Sequence, residues 1–112
     1  MKRLEIDLFV AVSDKNSVHY ELAYGEHRLE KTVFTETTNK NKLLLEGITE
    51  ALQQIKLPCD IKVHTGSDYI LKTSKTIRAK YETGFKIPMR NKSDWAELYQ
   101  LGIQKKVRMK FL

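Results

Sequence analysis

The residues with the clearest chemical potential in this sequence are cations that cluster between positions 72 and 92. Glu82 is the only acid in this span, which we call the basic segment. Its seven cations are Lys72, Lys75, Arg78, Lys80, Lys86, Arg90 and Lys92. This run of almost exclusively positive charge exceeds what a solvated face usually needs. It attracts polyanions. The basic segment is therefore a candidate site for nucleic acid or, by the same field, for an acidic protein surface.

The charge of the whole chain is divided in the same sense. The 112 residues carry a formal net charge of +6. Residues 1–61 hold 8 Lys and Arg against 10 Asp and Glu, whereas residues 62–112 hold 12 against 4. A basic surface kept for solubility explains the total charge better than it explains this segregation. Four further cations lie on the last predicted strand or just before it, where they also guard a sheet edge against pairing: Lys105, Lys106, Arg108 and Lys110.

Metal, disulfide and membrane chemistry find little support in the sequence. Cys59 is the only cysteine, so an internal disulfide is excluded, and we predict it to be buried at the entrance to a strand. The histidines at positions 19, 27 and 64 have no thiol or carboxylate partners at the spacing of zinc ligands. No apolar run has the length of a bilayer span, and residues 1–3 lead into alternating residues. We expect a cytoplasmic protein without a cofactor or metal.

Hydrophobic periodicity then predicts the elements that position these residues. Residues 4–12, 18–24 and 29–35 alternate as three strands joined by short turns, which is typical of an antiparallel meander. A helix over residues 41–56 follows, and a strand over 60–65 is expected to pair in parallel with the first strand.

Two further helices and a strand complete the predicted chain. Ser67 caps one helix, which Gly84 and Pro88 end, and Ser93 caps another, which Gly102 ends. Residues 107–111 form the last strand. The order βββαβααβ predicts a single α/β domain over residues 1–112, with a mixed five-stranded sheet.

This order, together with three local stretches, resembles the ribonuclease H family. Residues 37–42 (TTNKNK) are similar to the family's Thr-Thr-Asn-Asn segment, and residues 64–70 (HTGSDYI) to its Thr-Asp-Ser-x-Tyr-Val stretch. Residues 89–98 (MRNKSDWAEL) are similar to the Lys-Asn-x-Asp-Leu-Trp-x-x-Leu helix. With the meander, the resemblance covers nearly the whole chain and implies a ribonuclease H-like fold.

The resemblance also implies where catalytic carboxylates should stand. The family cleaves the RNA strand of RNA–DNA hybrids with two Mg²⁺ ions held by four carboxylates, and neither ion stays bound without them. Three of the implied positions hold Phe9 (or Ala11), Leu44 (or Leu43) and Gly66. The fourth lies beyond the last strand, in a C-terminal helix that we expect to be absent because the chain ends at Leu112. We therefore predict that the chain is not an enzyme.

A displaced acidic site is the alternative. Asp7, Glu46 and Asp68 lie near the implied positions. Two residues along a strand move a carboxylate by roughly 6–7 Å, too far to share ions with partners displaced in other directions. Solvated or capping acids are the favoured interpretation, since Asp68 and Asp94 fall in the first turns of helices.

In the family, the Thr-Thr-Asn-Asn segment contacts the minor groove and 2′-hydroxyls, and a basic helix and loop bind phosphates. The first element corresponds to Thr38, Asn39 and Asn41, for which helix capping is an equally good explanation, and the second to the basic segment. We predict an inactive module that binds an RNA–DNA hybrid or double-stranded RNA. The alternatives are a phage or mobile-element type of inhibitor or adaptor that docks on a nucleic-acid enzyme, and a nuclease with relocated acids. A homodimer is also open.

The aromatic residues do not predict stacking with single strands. The tyrosines at 20, 24, 81 and 99 and Trp95 all fall on predicted core faces. We therefore assign them to packing.

Overall fold

The computed structural model describes residues 4–84 and 90–112. Pro88 and Lys86 lie outside the described residues. The elements are β1 (Leu4–Asp14), β2 (Ser17–Tyr24), β3 (His27–Phe34), α1 (Lys40–Gln53), β4 (Cys59–His64), α2 (Asp68–Ser74), α3 (Ile77–Glu82), α4 (Lys92–Gln104) and β5 (Val107–Phe111). None of the described helices is long and apolar enough to cross a membrane.

The five strands form one mixed sheet in the order β3-β2-β1-β4-β5. The first three strands pair antiparallel as the predicted meander, and β4 pairs in parallel with both β1 and β5. Leu4 is in register with Cys59, and Cys59 is fully buried at the start of β4, as predicted. The predicted mixed sheet is confirmed.

Strand alternation separates a packed face of the sheet from an exposed one. Leu8 and Val10 of β1 and Ile61 and Val63 of β4 are buried against the helices, together with Ile48 of α1. The side chains of opposite parity remain partly or fully exposed, and we call their surface the open face. It includes Glu5, Asp7, Phe9, Ala11, Asp60, Lys62, His64, Arg108 and Lys110.

The predicted single helix after Ser67 is two short helices, which is a correction. Ser67 does cap α2, since its Oγ accepts from the Ile70 amide at 3.2 Å. The helix ends at Ser74, whose hydroxyl donates to the Leu71 carbonyl at 2.8 Å, and α3 begins only at Ile77. Ser and Thr hydroxyls compete for backbone groups in this way, and residues 73–76 hold three of them. The observed order is therefore βββαβαααβ.

The limits of α4 also differ from the prediction. Asn91, in the left-handed conformation with φ 55°, stands at the N-cap position that was predicted for Ser93. Gly102 lies inside the helix rather than ending it. A Cβ at Gly102 would stand 3.1 Å from the Met109 Cε, so this glycine allows α4 to approach β5 closely.

Candidate nucleic-acid interface

A groove of about 350 Å³ opens where β1 and β4 end against the start of α1, and we call it the strand-tip groove. Its lining consists of Val10, Ala11, Val12, Lys40, Asn41, Leu44, Thr65, Gly66 and Ser67. The structure thus brings together Ala11, Leu44 and Gly66, three of the positions at which a family carboxylate is implied. Leu44, rather than the fully buried Leu43, is the α1 residue that lines the groove.

The start of α1 is held at this groove by hydrogen bonds of small polar residues. The Asn39 Oδ1 accepts from the Lys42 amide at 3.0 Å, so Asn39 caps the helix. The Ser67 hydroxyl donates to the Asn41 Oδ1 at 3.4 Å, which joins the start of α1 to the start of α2. Thr38 is exposed beside them. The capping function of Asn39 is therefore present, and both Thr38 and Asn39 are exposed.

The basic segment supplies exposed charge along α2 and α3. Lys72 and Lys75 are exposed. The Arg78 Nε lies 3.1 Å from the Glu82 Oε1 in a pair whose side chains are 80% and 63% exposed. Such an exposed pair is weak, so a phosphate can compete with Glu82 for Arg78. Lys80 is half-buried.

Tyr69 fixes the far end of the basic segment to α2. Its hydroxyl donates to the Arg90 carbonyl at 2.8 Å and accepts from the Trp95 Nε1 at 3.0 Å and from the Asn91 Nδ2 at 3.3 Å. These bonds place the backbone of Arg90 and the side chain of Asn91 next to α2. Sequence reasoning missed this function of Tyr69, although a core tryptophan signals that its N–H needs a nearby acceptor.

The three acids of the displaced-site alternative are not brought together. The Asp7 Oδ1 lies on the open face, 2.8 Å from the His64 Nε2. Asp68 is exposed in the first turn of α2. Glu46 faces α4, and burial raises the pKa of its carboxyl, as does the charge of Asp94. Within residues 4–84 and 90–112, no group of three or more His, Cys, Asp or Glu side chains could hold a metal ion.

Aromatic side chains behave differently from the prediction at two places. Tyr24 is 43% exposed instead of buried, because it ends β2 beside the turn, where its ring stacks on His27. Tyr20 and Trp95 are buried as predicted. The second half of β1 is apolar on both faces, which predicts a central strand buried between layers, but Phe9 is 45% exposed on the open face.

The comparisons with known proteins agree on one family. Ribonuclease H of Clostridium botulinum is 35% identical over 98 residues, which is 81% of this chain and 64% of that protein. Ribonuclease H of Symbiobacterium thermophilum is 31% identical over 85 residues, 70% of this chain and 58% of that protein. The chain therefore spans less than two thirds of the length of these relatives. No family model matches it.

Solved structures show the same fold. The crystal structure of LC9-RNase H1, a type 1 RNase H with the type 2 active-site motif, matches all of this chain and 64% of that one, with TM-score 0.77 and 14% identity. RNase H1 of Halobacterium salinarum matches 96% of this chain and 85% of its own, with TM-score 0.61 and 14% identity. The architecture is ribonuclease H-like, as predicted.

The relatives correct one prediction. They carry the name of an enzyme, so the prediction that this chain is not an enzyme is wrong. That prediction treated Phe9, Leu44 and Gly66 as a statement about catalysis. The absence of a carboxylate at these three positions describes those positions alone. It does not exclude catalysis by the protein.

Proposed function

Because the chain belongs to the ribonuclease H family, we propose that it binds structured nucleic acid, either an RNA–DNA hybrid or double-stranded RNA, through the basic segment and the start of α1. The observation that carries this proposal is the hydrogen bond from the Tyr69 hydroxyl to the Arg90 carbonyl, which ties the backbone before α4 to α2, the helix that carries the exposed Lys72. Cations held on two adjacent elements present a surface to a phosphate backbone rather than scattered single charges.

The two parts of this surface have different functions in the proposal. The ammonium and guanidinium groups of the basic segment bind phosphates, which supplies affinity without sequence information. Thr38 and the amide nitrogen of Asn39 offer hydrogen bonds to 2′-hydroxyls. Lys86 belongs to the proposed surface by its sequence position. Recognition is by the shape and backbone of an A-form-like helix.

The experiment is a titration of hybrid, duplex RNA, duplex DNA and single strands at two salt concentrations. The test variant is Lys72→Glu/Lys75→Glu, and the matched control is Lys15→Glu/Lys56→Glu, which changes the net charge equally at two exposed sites outside the basic segment. We expect the test variant to lose binding and the control to retain most of it. No binding of any polyanion at low salt, or equal losses in the two variants, would refute the proposal.

Hydrolysis of the bound strand is the second candidate, and the names of the relatives favour it. The described residues do not fit the two-Mg²⁺ site of the family, because the strand-tip groove is lined by Ala11, Leu44 and Gly66 and no group of potential ligands gathers there. Cleavage that depends on Mg²⁺ or Mn²⁺ and is abolished by Asp7→Asn or Asp68→Asn, but not by Asp14→Asn, would establish this candidate.

A pull-down from lysate tests the protein-binding alternative. A stoichiometric protein retained from nuclease-treated lysate, combined with no polyanion binding, would replace nucleic acid by a protein partner.

We propose a cytoplasmic location as part of the nucleic-acid function, and fractionation of cells that express the chain checks this location.

A further inference from the structure

We propose that Phe9 is a stacking platform for an unpaired nucleobase of single-stranded nucleic acid, a site separate from the duplex surface proposed above. One face of its ring lies on the imidazole of His64, with ring centroids 4.5 Å apart and planes 13° from parallel. Because that face is covered, the 45% exposure of Phe9 belongs to the remainder of the ring. An exposed aromatic ring on a sheet surface is the feature on which single-strand binding proteins stack bases.

The platform is held rigid before any ligand arrives. Phe9 and His64 are in register on the adjacent parallel strands β1 and β4. The Asp7 Oδ1 lies 2.8 Å from the His64 Nε2, which fixes the plane of the imidazole beneath Phe9. A base that stacks on this pair therefore orders few side chains, and preorganisation of this kind favours binding.

Charge on the open face suits the phosphates that flank a stacked base. Lys62 lies two residues before His64 on β4, and Lys110 is in register with Lys62 on β5. Both are exposed. From strand rise and spacing, the Cα atoms of these lysines lie roughly 8 and 12 Å from that of Phe9. Long lysine side chains bring both ammonium groups within reach of the adjoining phosphates.

Each acid of this face next to Phe9 has a hydrogen-bond or ion-pair partner: Asp7 pairs with His64, and Glu21 and Asp60 pair with arginines. Arg28 lies 3.1 Å from Glu21, the β2 residue in register with Phe9. Arg108 binds Asp60 with two bonds of 2.8 and 3.2 Å. Glu5 is exposed but stands four residues before Phe9, roughly 13 Å along the strand. The field near the ring is therefore not dominated by free carboxylates.

A nucleobase fits this surface better than a protein does. Protein interfaces need a broad apolar patch around an aromatic anchor. The strand neighbours of Phe9 on this face are the small Ala11 and the charged Asp7, and the β4 and β5 columns are charged or polar. A single ring with flanking cations corresponds to base stacking with phosphate contacts.

The experiment uses the full chain and a short single-stranded oligonucleotide that carries 2-aminopurine, at low salt. Stacking on Phe9 is expected to quench the 2-aminopurine fluorescence. Phe9→Leu keeps an apolar side chain but removes the ring, and we expect about a tenfold loss of affinity together with loss of the quench. Phe34→Leu makes the same chemical change at a 74% exposed phenylalanine on β3 and should alter neither. Phe9→Trp should restore both signals.

Four outcomes of this titration would overturn the proposal: no quench with the unchanged chain, equal affinity in Phe9→Leu, an equal loss in Phe34→Leu, or failure of Phe9→Trp to restore binding. A change in oligomeric state on Phe9→Leu would assign the ring to a contact between two copies of the chain. This outcome would also overturn the proposal. Hybrid binding separates this site from the duplex surface. Phe9→Leu should leave hybrid binding unchanged. Lys72→Glu/Lys75→Glu should abolish hybrid binding while the 2-aminopurine quench persists.

Discussion

Removal of one hydroxyl, by Tyr69→Phe, should destabilise the protein by about 2 kcal/mol. The hydroxyl contacts Arg90, Asn91 and Trp95 at 2.8, 3.3 and 3.0 Å. A net hydrogen bond contributes about 1 kcal/mol, and a buried donor left without a partner costs about 1–3 kcal/mol more. Trp95 is 1% exposed, so its indole N–H is largely shielded from water once the acceptor is lost. For a domain of this size the loss corresponds to a melting temperature lower by roughly 8 °C.

The assay is urea unfolding followed by circular dichroism. Tyr24→Phe is the matched control, because its side chain is 43% exposed and the same change there should stay within about 0.5 kcal/mol. A double-mutant cycle with Trp95→Phe isolates the pair, with an expected coupling of about 1 kcal/mol. We also expect weaker hybrid binding by Tyr69→Phe at unchanged net charge, since Arg90 loses its anchor. Stability equal to that of Tyr24→Phe, or a coupling of zero, would refute the reasoning.

Three further predictions concern packing, pH and salt. Gly47→Ala should lower the free energy of unfolding by about 1 kcal/mol net in urea unfolding, because its Cβ would stand 2.8 Å from the Val18 Cγ2, and a neutral or stabilising effect would contradict this. Burial raises the pKa of Glu46, so the folded chain binds this proton more tightly than the unfolded chain does. Ionisation of Glu46 therefore destabilises the fold as the pH rises above the usual pKa of a glutamate. Glu46→Gln should thus gain stability relative to the unchanged chain between pH 4 and pH 7, and a constant difference would exclude this cause. Finally, with about five phosphate contacts, log affinity for hybrid should fall against log salt concentration with a slope of about −4 to −5. Lys72→Gln/Lys75→Gln should make this slope less steep by about 2. An unchanged slope would show that neither lysine belongs to the interface.

The parts of the fold that follow from local periodicity could be predicted from the sequence. Alternation in residues 4–12 predicts which side chains of β1 are buried, and the buried Leu8 and Val10 agree. The Ser67 cap and the buried Cys59 follow from single residues in recognisable settings. Each of these features depends on neighbours within a few positions, which a single sequence displays directly.

Features that depend on distant partners could not be predicted in this way. The break between α2 and α3 depends on the balance between hydroxyl and backbone hydrogen bonds, and the close approach of Met109 to Gly102 joins β5 to α4. Tyr69 and Trp95 are 26 residues apart, and no periodicity links them. The stacking of Phe9 on His64 joins residues 55 positions apart through the parallel β1–β4 pairing.

That parallel pairing also has a kinetic consequence. β1 lies in the middle of the sheet, and its β4 partner begins 55 residues after it, at Cys59 opposite Leu4. The chain entropy lost in closing so long a loop must be overcome before the ladder forms, which makes folding slow compared with domains of local contacts. During synthesis, one edge of β1 stays without its neighbour until residue 64 has left the ribosome, while β2 and β3 of the meander already have their strand partners. We therefore expect nascent chains with fewer than about 64 residues outside the ribosome to be captured by chaperones that bind exposed strands.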